Sequence, residues 1–223
     1  MAQDTVSAAG AADDGDERNT DEKRFALAKI IEWITQVNPS QVEAYVDKLR
    51  SQNPGISQDV LAKKIVRRKS LKNGLVGAAT GVGGVLTLPV SVPGDLIASW
   101  RIQAFMACSV AYVYGHTAET TDLKTDVYLI LAGDAAKEAL KRVGIEVGKH
   151  VTKKAVQRYI TREVMKRIWR VVGQRIVTKA GQKSLTSFMK MVPLVGAPIG
   201  FAFDYAAARS VGHFAIKYYS GQG

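Results

Sequence analysis

Apolar residues recur at three- and four-residue intervals through most of the chain, the spacing that lines one face of an α-helix. Residues 22–36 place Phe25, Ile30, Ile31 and Ile34 on one side, and Asn38-Pro39 ends that run. Ser40 and Glu43 read as a capping box, in which hydroxyl and carboxylate satisfy the first free amides of a helix. The helix they open carries Val42, Tyr45, Val46 and Leu49 and stops at Asn53-Pro54-Gly55. Ser57 caps a short helix that Asn73-Gly74 closes, because both residue types punctuate helices. Residues 95–114 form a long apolar helix ended by Gly115, and residues 121–131 form another, with a break at Gly133. From Asp134 a helix carries Ala136, Leu140, Gly144 and Gly148 on one stripe. Thr161 caps a helix over 162–179, ended by Ala180-Gly181, and a short one covers 184–191. Residues 193–196 read as a turn, and the last helix runs over 199–219. No period-2 alternation of useful length and no repeat occurs, so the pattern predicts an all-α fold.

Charge changes this picture at three places. Residues 1–22 hold seven acids (Asp4, Asp13, Asp14, Asp16, Glu17, Asp21, Glu22) against one base, Arg18. Without them the remaining residues, 23–223, carry 30 basic and 13 acidic groups, a net +17 where the whole chain has +11. Such an arm buries too little apolar surface to fold alone, so a disordered solubilising segment is expected. The second place is the predicted helix after Ser57, with Lys63, Lys64, Arg67, Arg68, Lys69 and Lys72 within ten residues. The third is residues 162–179. Val164, Met165, Ile168, Trp169, Val171, Val172 and Ile176 share one arc, and Arg162, Lys166, Arg167 and Arg170 face the other way. Cationic faces of this kind suit anionic lipid headgroups, nucleic-acid phosphate or plain solvation.

Between Lys72 and Asp95 lie 22 uncharged residues, studded by Gly74, Gly77, Gly81, Gly83 and Gly84 and broken by Pro89 and Pro93. Their length suits a membrane span, while the glycines and prolines weaken a helix whose backbone must close internally. A span, a re-entrant or interfacial segment and a buried hairpin or connector all stay open. The organisation expected is an acidic arm over 1–22, a helical segment over 23–72 and a helical domain over 73–223.

Motifs for chemistry are few. Gly144 to His150 misses the phosphate-loop spacing and lacks its Ser or Thr, and no GxGxxG, GxSxG or HExxH occurs. His116, His150 and His213 are scattered, and a metal set of His116, His213 and Asp204 is a minor alternative to ordinary satisfied side chains. Cys108 lies in an apolar run and reads as core filler; a single cysteine excludes an internal disulfide and fits a reducing compartment. No leader pattern opens the chain, which points to the cytoplasm. Arg101 and Asp204 each stand alone in an apolar helix, and pairing with one another would offset the cost of burying either. No catalytic set, metal or cofactor is expected.

Two stretches carry a resemblance. Residues 86–96, Leu-Thr-Leu-Pro-Val-Ser-Val-Pro-Gly-Asp-Leu, lead into a helix with Gln103 that ends Tyr114-Gly115. Residues 188–200, Phe-Met-Lys-Met-Val-Pro-Leu-Val-Gly-Ala-Pro-Ile-Gly, lead into Phe201-Ala-Phe-Asp204. In this order, over residues 70–220, they resemble the EcsC family of bacterial proteins, and are similar to a domain joined to some small bacterial GTPases. The family pattern more often has Asn where this chain has Asp204. The resemblance implies a helical bacterial protein found near membrane systems, including a transporter operon, and supplies no reaction.

The function expected is therefore a non-enzymatic, peripheral membrane or membrane-associated protein at the inner face of the cytoplasmic membrane. Anionic lipid is its expected partner, membrane proteins of a transport or envelope process a further class. Nucleic acid ranks behind, because no RRM, KH or zinc signature occurs and the aromatics do not interleave with cations. A hydrolase using Asp95, Asp204 or His213 is the remaining alternative, and oligomeric state is not legible.

Overall fold

The first turn of the first helix is set by a proline. In the computed structural model, which describes residues 29, 32–34, 36–82, 94–116, 121–132 and 193–221, helix α1 spans Pro39–Ser51. Proline suits that position because its missing N–H is not needed there and its φ is already helical. The cap falls one residue earlier, on Asn38, whose side-chain oxygen accepts from the Gln41 amide at 3.4 Å. Ser40 and Glu43 thus lie inside the helix rather than forming its expected capping box. The Asn53 side chain donates to the Leu49 carbonyl at 2.7 Å, and Gly55, at φ +76°, turns the chain.

Helix α2, Gln58–Val82, is capped by Ser57, whose hydroxyl accepts from the Val60 amide at 3.4 Å. Its 25 residues make it roughly 37 Å long. It runs straight through Asn73-Gly74, where closure was expected, and through the boundary expected between 72 and 73. The reason is burial. Both residues are covered, and the Asn73 side-chain amide donates to the Asp204 backbone carbonyl at 2.8 Å. An Asn-Gly pair that breaks an isolated helix here serves the packing of two.

Helix α3, Gly94–Val113, ends as expected at Gly115, which has φ +84°. His116 N–H donates to the Ala111 carbonyl and Gly115 N–H to the Tyr112 carbonyl, the two bonds of a Schellman cap. Helix α4 spans Thr121–Ala132 and helix α5 Pro193–Ser220. The turn expected at 193–196 is the first turn of α5, and Pro198 stands inside the helix, where it lacks the N–H that would bond to the carbonyl four residues earlier.

All elements among the described residues are helices, and no strand occurs among them. The chain is all-α. Its core joins Val42, Val46 and Leu49 of α1, Leu61 and Ile65 of α2, Met106 and Val110 of α3, Leu129 and Ile130 of α4, and Ala215 and Tyr218 of α5. Residues 1–28, 83–93 and 133–192 lie outside the described residues, and with them the acidic arm, most of the Gly-rich connector and the predicted helix over 162–179.

Candidate functional site

Helices α2 and α5 run antiparallel in close contact. Gly212 meets Val66, Asp204 meets Asn73, Phe201 meets Gly74, and Gly200 meets Gly77. At the last crossing the two backbones touch. A Cβ on Gly77 would collide with the Gly200 carbonyl and lie 2.5 Å from the Asp204 carboxylate, and one on Gly200 would collide with the Gly77 carbonyl. Gly74 likewise leaves space for the Phe201 ring, 2.8 Å from where a Cβ would stand. Small size is the requirement at these positions, since α-helical φ needs no glycine.

The stripe of α2 that faces inward carries Leu61, Ala62, Ile65, Val66, Ser70, Asn73 and Gly77, all buried. The opposite arc is amphipathic in a particular way. Leu71 and Leu75, one turn apart, are 42% and 58% exposed, in line with Val60 at 54%. The 100° step per residue puts Lys63 and Arg67 on one flank of this strip and Arg68 and Lys72 on the other. All four cations are exposed. No acid stands between Asp59 and Asp95, and Asp59 is engaged by the Tyr114 hydroxyl at 2.6 Å. Two of the six expected cations leave the face. Lys64 donates to the Asn53 side chain in the α1–α2 loop. Lys69 lies over the rings of Tyr45 and Phe105, 4.0 and 3.9 Å from their centroids. Its half-burial, and secondarily Lys72, push its pKa down to about 8.

Helix α5 adds Ile199 and Phe203, 46% and 56% exposed, again one turn apart. Leu75, Ile199 and Phe203 lie within three residues of the Gly77–Gly200 crossing, and Leu71 stands about 9 Å from it, beyond Lys72. At that level both helices lack charge: α2 over 73–82 and α5 over 193–203.

The expected pairing of Arg101 with Asp204 does not form. Arg101 is exposed on α3 and lays its guanidinium over the Trp33 ring, 4.3 Å from the centroid. Being at the surface, it needs no counter-ion. Asp204 is buried on the α2 side of α5, beside Gly77. His213 is exposed with Nδ1 2.8 Å from the Arg209 carbonyl, and His116 rests against the Tyr219 ring. No group of three metal-ligating side chains gathers among the described residues. Cys108 is buried as expected, and burial, reinforced by Asp126, pushes its thiol up to about 12, far from nucleophilic use. Arg162, Lys166, Arg167, Arg170, Gly83 and Gly84 lie outside the described residues, while Gly81 falls in the last turn of α2.

Sequence reasoning missed a buried carboxylate. Asp126 of α4 accepts from the Tyr218 hydroxyl at 2.6 Å inside the core. Burial first, and then the Asp126 charge, push the Tyr219 hydroxyl well above the ordinary tyrosine range. Only its isolation in an apolar run, Val127 to Ala132 following it, could have drawn attention to Asp126.

Among the described residues no helix is long and apolar enough to cross a membrane. A family model described as the EcsC protein family matches residues 21–220, starting well before the stretch from residue 70 that carries the resemblance. No curated protein and no solved structure matches the chain.

Proposed function

The chain belongs to the EcsC protein family, and from that premise we propose that it is a non-enzymatic peripheral membrane protein that docks on anionic lipid at the inner face of the cytoplasmic membrane. The observation supporting this reading is the outer arc of α2, where Leu71 and Leu75 stand exposed between Lys63 and Arg67 on one flank and Arg68 and Lys72 on the other. Each cation near an anionic surface contributes about 1 kcal/mol, so the four contribute about 4 kcal/mol, roughly a thousand-fold in partitioning. The leucines add apolar burial that a phosphate backbone would not reward, which favours a bilayer over nucleic acid. A transport or envelope process is the setting the reading fits, with membrane proteins as neighbours.

Flotation of the full chain with vesicles tests it. Vesicles rich in phosphatidylglycerol carry the protein upward at low salt and release it as salt rises, whereas purely zwitterionic vesicles leave it behind. Absence of binding to the anionic vesicles at low salt, with retention of labelled RNA or DNA on a filter, would replace the membrane reading with the nucleic-acid one.

A further inference from the structure

We propose that the uncharged end of the α2–α5 pair enters one leaflet of the bilayer, as far as a collar of cations, instead of resting on the headgroups. This inference rests on the membrane reading above and adds the mode of contact. In the antiparallel pair, residues 73–82 of α2 lie beside residues 193–203 of α5, and neither stretch holds a charge. Charge begins on both helices at the same level: Lys72 and Arg68 on α2, and exposed Arg209 on α5, one turn beyond the buried Asp204. Ten residues of α-helix rise roughly 15 Å, which equals half of a hydrocarbon core of about 30 Å. The uncharged end is one leaflet deep.

Exposed apolar side chains stand on more than one side of this end. With the Gly77–Gly200 contact as the inner side, the 100° step places Leu75 on the back of α2 and Ile199 and Phe203 together on one flank of α5, while Leu71, within the collar of cations, lies on the opposite flank. A single protein face covers one of these sides; lipid covers both. The bonding inside the pair also suits lipid. Helices immersed in hydrocarbon gain nothing from burying apolar surface against each other and rely on close packing of small residues and interhelical hydrogen bonds. Gly77 against Gly200, and the 2.8 Å bond from the Asn73 side chain to the Asp204 carbonyl, supply both. Asn73 and Asp204 are buried at this level, so their immersion strips no exposed charge of water.

Cys108 is the sole cysteine and is buried, so a thiol-reactive NBD dye goes to a cysteine introduced elsewhere. Three full-length variants carry it: Leu75→Cys, Ile199→Cys and, as a control on exposed α1 surface, Ser51→Cys. Each is mixed with anionic vesicles whose lipids are brominated in mid-chain, and flotation measures binding in the same samples. The expected result is a blue shift and loss of most fluorescence at positions 75 and 199, with position 51 unchanged. Binding without quenching at 75 and 199 overturns leaflet entry while leaving the membrane reading in place. Quenching at one of them alone overturns entry of the pair. A blue shift before vesicles are added means that a second copy or the chain itself covers this end, and also overturns it. Failure of every variant to float overturns the membrane reading together with this inference. The unmodified chain gives an independent readout: the surface pressure of an anionic monolayer rises when it binds, and a flat trace contradicts entry.

Discussion

The two halves of the α2–α5 pair differ in what surrounds them. The half formed by residues 58–72 and 205–220 packs against α1, α3 and α4, with Leu61, Ile65, Tyr218 and Ala215 wholly covered and even a carboxylate, Asp126, held inside. The half formed by 73–82 and 193–204 brings its two backbones together at Gly77 and Gly200 and presents Leu75, Ile199 and Phe203 outward. The same two helices thus pass from a globular core to stretches, 73–82 and 193–203, that lack charge and expose apolar side chains. The lesson is that apolar composition alone does not say where a helix is buried; what packs beside it does.

Each half can be broken separately. Replacing Lys63, Arg67, Arg68 and Lys72 with Gln removes about 4 kcal/mol of anionic-surface attraction, roughly a thousand-fold in vesicle partitioning, and leaves the melting temperature nearly unchanged. Gly77→Leu forces a side chain into the Gly200 carbonyl and costs about 3 kcal/mol of stability or more, read as a fall in melting temperature. Leu71→Ser with Leu75→Ser leaves stability as it is, since both side chains are exposed, and weakens partitioning by about 3 kcal/mol. Tyr218→Phe acts only on the packed half. It strips Asp126 of a 2.6 Å hydrogen bond and costs about 2 kcal/mol in urea denaturation, with vesicle binding unaffected.

The smallest effect concerns Lys69. Its folded pKa of about 8 lies below the ordinary 10.5, so between these values the unfolded chain binds more protons. Stability from this group therefore rises as pH goes from about 8 toward 10.5. The raised pKa of Tyr45, caused chiefly by burial, reverses the trend above about 10, where the unfolded tyrosine ionises first. Urea midpoints between pH 8 and 10 should climb more in the unaltered chain than in Lys69→Met. Equal slopes would mean that the ring faces of Tyr45 and Phe105 hold the ammonium charged despite its burial.

Much of the packed half was legible in the sequence. The inward positions of α1, the stop at Gly115 and the burial of Cys108 all follow from periodicity and turn chemistry. The end of the pair was less so. Asn73-Gly74 and Pro193 to Gly196 read as breaks because local preference favours breaks there, and the contact between α2 and α5, some 130 residues apart in the chain at Asn73 and Asp204, overrides that preference. Leu71 and Leu75 are not legible as surface residues, because leucines ordinarily face inward. As lone charges in apolar runs Arg101 and Asp204 read as a pair, yet their helices turn one to solvent and the other to a glycine. Sequence spacing gives the face of a helix and not its neighbour.

The proposed docking of this chain on anionic bilayer through α2 stands or falls on binding itself. Co-sedimentation of the unmodified chain with vesicles, as phosphatidylglycerol is raised stepwise from none, tests it most directly. Negligible pelleting on neutral lipid and a steep rise with anionic content are expected; a bound fraction that stays near zero throughout would rule out docking on anionic bilayer.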